Sequence, residues 1–598
     1  MKIIEELIIQ SLKDLDLSIC EFSIDHPKDE GHGDYSCNVA MIMWGQIKNH
    51  KFSNSQIKSP RELATQIAEK IGSDDLIEKV EVAGPGFINF YLKQDFLINE
   101  LNQALSDDYG KNNNLKAQKT YVEFTDPNPF KEFHIGHLMS NTIGESLARI
   151  LEANGAIVKR ANYQGDVGLH VAKSIWGLIK KSQITNSQIS NWIEEWKVKP
   201  LKERIGYLGQ AYAYGAGEYE TSETAKAEMN AMNKEIYDGL DGQRQGSAPT
   251  IILEMYDAGR AWSLEYFETI YARLGTKFEE YFFESEEGPV GLKIVEEGLK
   301  KGVLEIGESG AIVFKGEKYG LHTRVFRNKL GLPTYEAKEL ALPTTKYERW
   351  AYDKSYIITA NEIDEYFKVL IQVLKLMYPE LGEKTTHLSH GMMRLKTGKM
   401  SSRTGKVVTG EGLLNELKEV VLTKMGERAV ANKEVVADQV AIGALKYTVL
   451  KQTIGGDIAY EPVKMTNMEG DTGPYLQYTY ARTQSVLRKA QISNSLPAQA
   501  GQILKLGPIL KLTTEINKEE LSILKWIYRY SEVVAEAGAK YAPQMVAGYI
   551  AELAQRYNTF YNQHQIVGNE FRLVLTRATG NILKSGLDLL GIVAPEEM

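Results

Sequence analysis

Two histidines one helical turn apart, His134 and His137, stand in the run His134-Ile135-Gly136-His137, after a strand-like segment and at the mouth of a helix-like one. Imidazoles at a helix N-terminus, with a glycine between them that lets a ligand approach the backbone, suit a phosphate group of ATP. The plainer alternative is a pair of surface histidines. A second segment, Lys399-Met400-Ser401-Ser402-Arg403-Thr404-Gly405, is cationic and built of small residues. A lysine on such a loop can neutralise charge that builds up on a phosphate and then withdraw with pyrophosphate. Taken alone it is an ordinary solvated loop; with the histidine motif it makes a nucleotide site.

The elements around the first motif are those that place a ligand. Residues 121–124 read as a buried strand, 125–133 as a loop, 135–153 as a helix ended by Gly155, and 157–163 as a second strand. That is a βαβ unit, the building block of a parallel sheet covered by helices, which binds ligands at the carboxyl ends of its strands. Residues 171–320 are mostly helical and polar and read as an insertion. The β/α pattern resumes with a strand at 355–359 and a helix at 363–377. From about 430 the pattern is helical, and Phe571, Val574, Leu575, Ala578, Ile582, Leu583 and Leu587 form a core-facing stripe. Before all this, residues 1–115 alternate helices with β-like runs at 80–83 and 87–92, and 106–119 read as a linker.

The expected architecture is therefore multidomain α/β: an N-terminal α+β domain (1–115), a Rossmann-like parallel-sheet catalytic domain (116–430), and a C-terminal all-α bundle (431–598). A chain of 598 residues is too long for one core. With 43% hydrophobic and 25% charged residues it has ordinary globular composition. The first residues form an amphipathic helix and not a signal peptide, and no window is apolar enough to span a membrane. Two cysteines, Cys20 and Cys37, give neither a disulfide framework nor a cysteine-built zinc site. A cytoplasmic location and no metal ligands follow as expectations. The net charge of -8 does not exclude a nucleic-acid partner, because a large enzyme touches RNA through limited patches.

With both motifs in place the chain resembles the class I aminoacyl-tRNA synthetases, whose signatures are HIGH and KMSKS, here HIGH and KMSSR. The run from Val122 through Glu123, Asp126, Pro127 and Asn128 to Pro129, and that from His137 to Arg149, resemble the arginine branch of the family, with Asp126 where serine is usual. Gly84-Pro85-Gly86-Phe87-Ile88-Asn89 is similar to its N-terminal domain, which grips the tRNA elbow. Thr472 to Tyr478 with Arg482 is similar to its anticodon-binding domain.

The resemblance implies a ligase that joins L-arginine to tRNA(Arg) with ATP and Mg²⁺, as a monomer and without a membrane. It implies that His134, Gly136, His137, Lys399, Met400, Ser401 and Ser402 hold ATP, with His134, His137 and Lys399 catalytic. Glu123, Asp126, Pro127, Asn128 and His137 would border the arginine. A planar guanidinium needs a carboxylate that accepts paired hydrogen bonds; Glu339, four residues after Tyr335, stands where the family has aspartate. The alternatives are a solvated helix face for Glu339 and a core tyrosine for Tyr335. Ile363 falls where the family has a glutamine that contacts the amino acid, and isoleucine cannot make that bond. Asn89, Tyr475, Tyr478, Arg482, Tyr561 and Met598 would bind tRNA, the aromatics and Arg482 by stacking on or pairing with unstacked bases; tyrosines at such spacing are as often core.

Overall fold

The computed structural model describes residues 1–49, 57–72, 76–184, 188–240, 251–395, 409–427, 431–492 and 516–598. The KMSSR residues, Lys399, Met400, Ser401 and Ser402 among them, lie outside the described residues.

The chain divides into two compact units. One consists of residues 1–110, 482–533 and 552–583, the other of 111–481, 534–551 and 584–598. In the first, strands β1 (Ile24–Asp25), β2 (Tyr35–Cys37), β3 (Ile77–Ala83) and β4 (Phe87–Leu92) form an antiparallel sheet in the order β1-β2-β4-β3. The helix Pro60–Ile71 starts where its chemistry says it should: Ser59 accepts from Glu62 N–H and Pro60 occupies the first turn. Later chain segments join this unit through polar anchors. Glu532 accepts hydrogen bonds from the Tyr35 hydroxyl at 2.7 Å and His26 Nε2 at 2.9 Å.

The second unit is built on a five-stranded sheet. Strands β5 (Lys119–Glu123), β6 (Ile157–Gln164), β7 (Glu280–Phe283), β11 (Lys354–Ala360) and β12 (Thr385–His390) run parallel in the order β12-β11-β5-β6-β7. Strand β5 is central: the chain winds to one side through β6 and β7 and to the other through β11 and β12. The crevice where winding reverses is the binding position of such sheets. Burial on both faces explains why Thr120, Tyr121, Val122 and Glu123 are all enclosed. The helix Ile135–Ala153 links β5 to β6, and the helix Asp364–Met377 links β11 to β12.

The stretch read as one helical insertion is more varied. The helices Leu169–Ser182, Ile189–Lys197, Leu201–Thr221, Glu223–Leu240 and Ile251–Leu274 share a core that includes Val171, Ile175, Trp176, Leu208, Met229 and Trp262. The chain then returns to the sheet as β7, turns into the helix Glu284–Lys300, and forms an antiparallel sheet of β8 (Glu305–Ile306), β9 (Ile312–Phe314) and β10 (Arg324–Arg327). Strand β7 has four residues, too few to give a period-two signal against helical neighbours. A parallel pair, β13 (Met393–Leu395) with β14 (Ile458–Tyr460), follows. In the helix Lys433–Leu450, the buried Lys446 donates to Leu274 O at 2.6 Å and Gly591 O at 2.7 Å, an ammonium set on carbonyls at or just beyond the ends of two helices.

Candidate active site

Everything converges on the loop after β5. Thr125, Asp126 and Phe130 take positive φ values of 82°, 44° and 66°. For a β-branched threonine that conformation is an outlier, and it persists only where surroundings over-determine it. Here they do. Thr125 N–H donates to Ser140 Oγ at 2.9 Å, Asn141 Nδ2 donates to Thr125 Oγ1 at 3.1 Å, and Asn162 Nδ2 donates to Phe124 O at 3.1 Å. Asp126 Oδ1 accepts from Tyr163 N–H at 2.8 Å. Asn128 lies against the turn after β6, where a Cβ at Gly165 would come within 2.2 Å of Asn128 Oδ1 and push that side chain aside. Pro127 is buried beside it.

The loop ends at His134, the N-cap of the helix Ile135–Ala153. Its Nδ1 accepts from Gly136 N–H at 3.1 Å, and His137 Nδ1 accepts from His134 N–H at 3.1 Å, a reciprocal cap. A side chain at position 136 would press on the His134 ring at 3.0 Å and disturb its stacking, which glycine avoids. With each Nδ1 accepting, each neutral ring carries its proton on Nε2. The two rings stack with centroids 3.5 Å apart. His134 keeps an exposed edge, and its surroundings, then the Lys131 ammonium, lower it to about 4; the fuller enclosure of His137, then His134 and Lys131, holds that ring well below its usual range. The site therefore offers two neutral N–H donors at a helix start. Thr409, the first described residue after the KMSSR segment, pairs with His134 in an isolated bridge, and Gly410 N–H donates to Phe133 O at 2.7 Å.

Next to the loop lies a side-chain cluster of opposite character. Glu123, at the end of β5, is buried and ion-paired with Lys346; Glu284 is buried and ion-paired with Lys338. Glu339 and Asp126 complete a group of four carboxylates facing two ammoniums. Glu339 Oε1 is buried and meets no hydrogen-bond donor among the described residues. Enclosure first, then the charge of Glu123, holds the carboxyls of both Glu339 and Asp126 well above the usual range. Tyr335 starts the helix Tyr335–Arg349 and shares a face with Glu339 one turn on; its ring, 56% exposed, lies 4.7 Å from Lys338 Nζ. Ile363, 41% exposed, sits in the 3-10 turn Asn361–Ile363 after β11 and offers no polar atom.

Sequence reasoning missed three participants. Lys131 precedes His134 by three residues in the same loop, and that proximity was the available signal. Lys346 lies two turns beyond Glu339 on the same helix. Tyr163 ends up there because β6 is adjacent to β5, a pairing that no local pattern announces.

The residues expected to touch tRNA fall in both units. In the first, Asn89 is buried and accepts from Ser36 Oγ at 2.7 Å; it lines a cavity of about 500 Å³ with Phe87, Ser36, Asn38, Lys28 and His32. Also there, the Arg482 guanidinium hydrogen-bonds Asn558 and lies 4.7 Å from the Tyr561 ring. In the second, Tyr475 and Tyr478 are half-buried on the helix Gly473–Ile492, and Met598 is half-buried.

Comparison with known proteins agrees with this arrangement. The family model described as "tRNA synthetases class I (R), catalytic domain" matches residues 100–460, "DALR anticodon binding domain" 476–598, and "Arginyl tRNA synthetase N terminal domain" 2–92. An arginine--tRNA ligase of Fusobacterium nucleatum is 31% identical, covering 94% of this chain and 93% of its own. One of Parabacteroides distasonis is 30% identical, covering 99% and 98%. The fold is similar to that of Thermus thermophilus arginyl-tRNA synthetase, with a TM-score of 0.74 at 22% identity and 100% coverage of both chains.

Proposed function

The chain belongs to the class I arginyl-tRNA synthetases and is an ATP-using arginine--tRNA ligase, and on that premise we propose how its own residues divide the work. The observation that carries the assignment is Glu339 Oε1, a buried carboxylate oxygen without a donor inside a group of carboxylates that outnumber their ammoniums. A cation with several planar N–H groups supplies what that pocket lacks, and a guanidinium is such a cation. Glu339 takes the guanidinium, with Tyr335 flanking it from the same helix face. Asp126, Pro127 and Asn128 border the amino-acid end. Glu123, anchored by Lys346, supplies negative field for the α-ammonium.

Arginine's carboxylate is ionised at neutral pH and needs no general base to attack the α-phosphorus of ATP. Catalysis is then positioning and charge stabilisation. His134 and His137 donate Nε2–H bonds to phosphate oxygens, and Gly136 keeps the approach to the helix start open. Because both imidazoles are neutral, the positive charge must come from elsewhere: Lys131 beside them, and Lys399 with Met400, Ser401 and Ser402 from the segment that precedes Thr409 in sequence. A ribose hydroxyl of the terminal adenosine of tRNA(Arg) then takes the arginyl group.

Mg²⁺ in this reading travels with ATP. It would offset charge on the phosphate oxygens beside the two imidazoles. Residues 1–115 are assigned to the tRNA elbow, with Asn89 at the cavity beside Phe87, residues 116–430 to catalysis, and 431–598 to the anticodon. Tyr475, Tyr478, Arg482, Tyr561 and Met598 are the proposed contacts there. The monomer is taken as the working unit and the cytoplasm as its place; no described helix is long and apolar enough to cross a membrane. The reading is tested by tRNA charging with arginine, comparing the native chain with Lys399→Ala and Glu339→Gln. The first should lose turnover and the second affinity for arginine; retention of both by either variant overturns that residue's role.

A further inference from the structure

Tyr163 packs from the sheet against the helix Tyr335–Arg349 that carries Glu339. Its ring belongs to the core cluster with Phe282, Ala337, Leu340 and Ile357, so its position is fixed by packing and not by its hydroxyl. It is next to last in β6, and its backbone N–H is already spent on Asp126. The hydroxyl itself is buried and has no hydrogen-bond partner among the described residues.

A buried phenol without a partner is costly and rare enough to need a cause. Three carboxylates act on it: Glu284, Glu339 and Glu287. Glu284 is held by Lys338, and Glu287 accepts from Thr345 Oγ1 at 2.7 Å. Of the three, Glu339 alone has an oxygen that is buried and unmet. Two polar atoms, one from a strand and one from the helix packed on it, are thus left open and do not bond each other. Another orphaned oxygen nearby in sequence, Gln164 Oε1, does not compete for this role, because strand alternation turns residue 164 to the opposite face of the sheet.

We propose that Tyr163 is a specificity-determining residue for arginine: its hydroxyl oxygen accepts an N–H of the guanidinium whose other edge is taken by Glu339. The planar fork of five N–H groups can meet a carboxylate and a phenol oxygen at once, which the ammonium of lysine, a single point charge one bond nearer the backbone, matches less well. The inference rests on the arginine pocket assigned above and extends it to a second element of the fold.

The test is Tyr163→Phe, which keeps the ring and removes only the oxygen. In charging assays of the full-length protein the KM for arginine rises about tenfold, the loss expected for one hydrogen bond to a charged group, while kcat and the KM for ATP stay within about twofold. The thermal midpoint without arginine holds or rises, since an orphaned buried hydroxyl is gone. An unchanged KM for arginine overturns the proposal, and so does a lower midpoint accompanied by a raised KM for ATP, which marks a structural role. Glu339→Gln run in parallel separates the cases: if that variant also keeps its KM for arginine, the pocket itself is misassigned, and if it alone loses affinity, only the role of Tyr163 fails.

Discussion

His134 and His137 stack ring on ring, 3.5 Å between centroids, and each fixes its tautomer by accepting a backbone N–H on Nδ1. The signature motif is thus a rigid pair of neutral donors and not a cationic patch. Replacing His137 by glutamine should cost turnover by roughly 10²-fold, the scale for losing one well-placed donor to a transition-state oxygen, with little change in the KM for arginine.

The same pair makes a stability prediction. The enclosed imidazole of His137 titrates well below the ordinary range of histidine in the folded chain, so as pH falls below about 6.5 the unfolded chain binds more protons than the folded one, and stability falls with it. The thermal midpoint should drop from pH 7 to pH 5, and the drop should be shallower in His137→Gln. Parallel curves for the two proteins would contradict the burial argument.

Glu339 gives two effects of opposite sign from one substitution. Glu339→Gln removes a carboxyl that the free protein holds against its environment, so the midpoint without ligand rises by a few degrees, roughly what 1 kcal/mol does in a large domain. The KM for arginine rises by about 10²-fold or more, because a charge-assisted partner is lost. A variant that is destabilised, or that still binds arginine normally, would show that Glu339 is a solvated or structural residue.

Arginine binding should release protons. In the free pocket the carboxyls of Glu339 and Asp126 are held above the usual range by enclosure and by Glu123, with Glu284 adding to Glu339 and Lys346 opposing, and Lys338 pairs Glu284. A bound guanidinium favours the ionised forms and drives their protons off, so affinity rises with pH until those groups are already ionised. Calorimetry in buffers of different ionisation enthalpy reads the release directly; a net proton uptake would contradict it.

Much of this was legible in the sequence because it is local. The histidine motif, the strand before it, the helix after it, and the i, i+4 relation of Tyr335 to Glu339 all lie within short windows whose periodicity survives in the fold. What was not legible depends on chain segments far apart. The Glu123–Lys346 and Glu284–Lys338 ion pairs join a strand or helix to a helix much later in sequence. The grouping of 1–110 with 482–533 and 552–583 has no local cause either. The positive φ at Thr125 is set by Ser140 and Asn141 and contradicts threonine's own preference. Glutamate for aspartate at 339 was readable as a letter, but its unmet oxygen was readable only in three dimensions.

The measurement that bears most directly on the central claim is attachment of each of the twenty amino acids to total tRNA with ATP and Mg²⁺ by the native chain. Arginine alone should be charged, and lysine, the other long cation, should be refused. Charging of any other amino acid would show that the acidic pocket beside Glu339 does not read a guanidinium, and charging of none would contradict the division of labour proposed for this site.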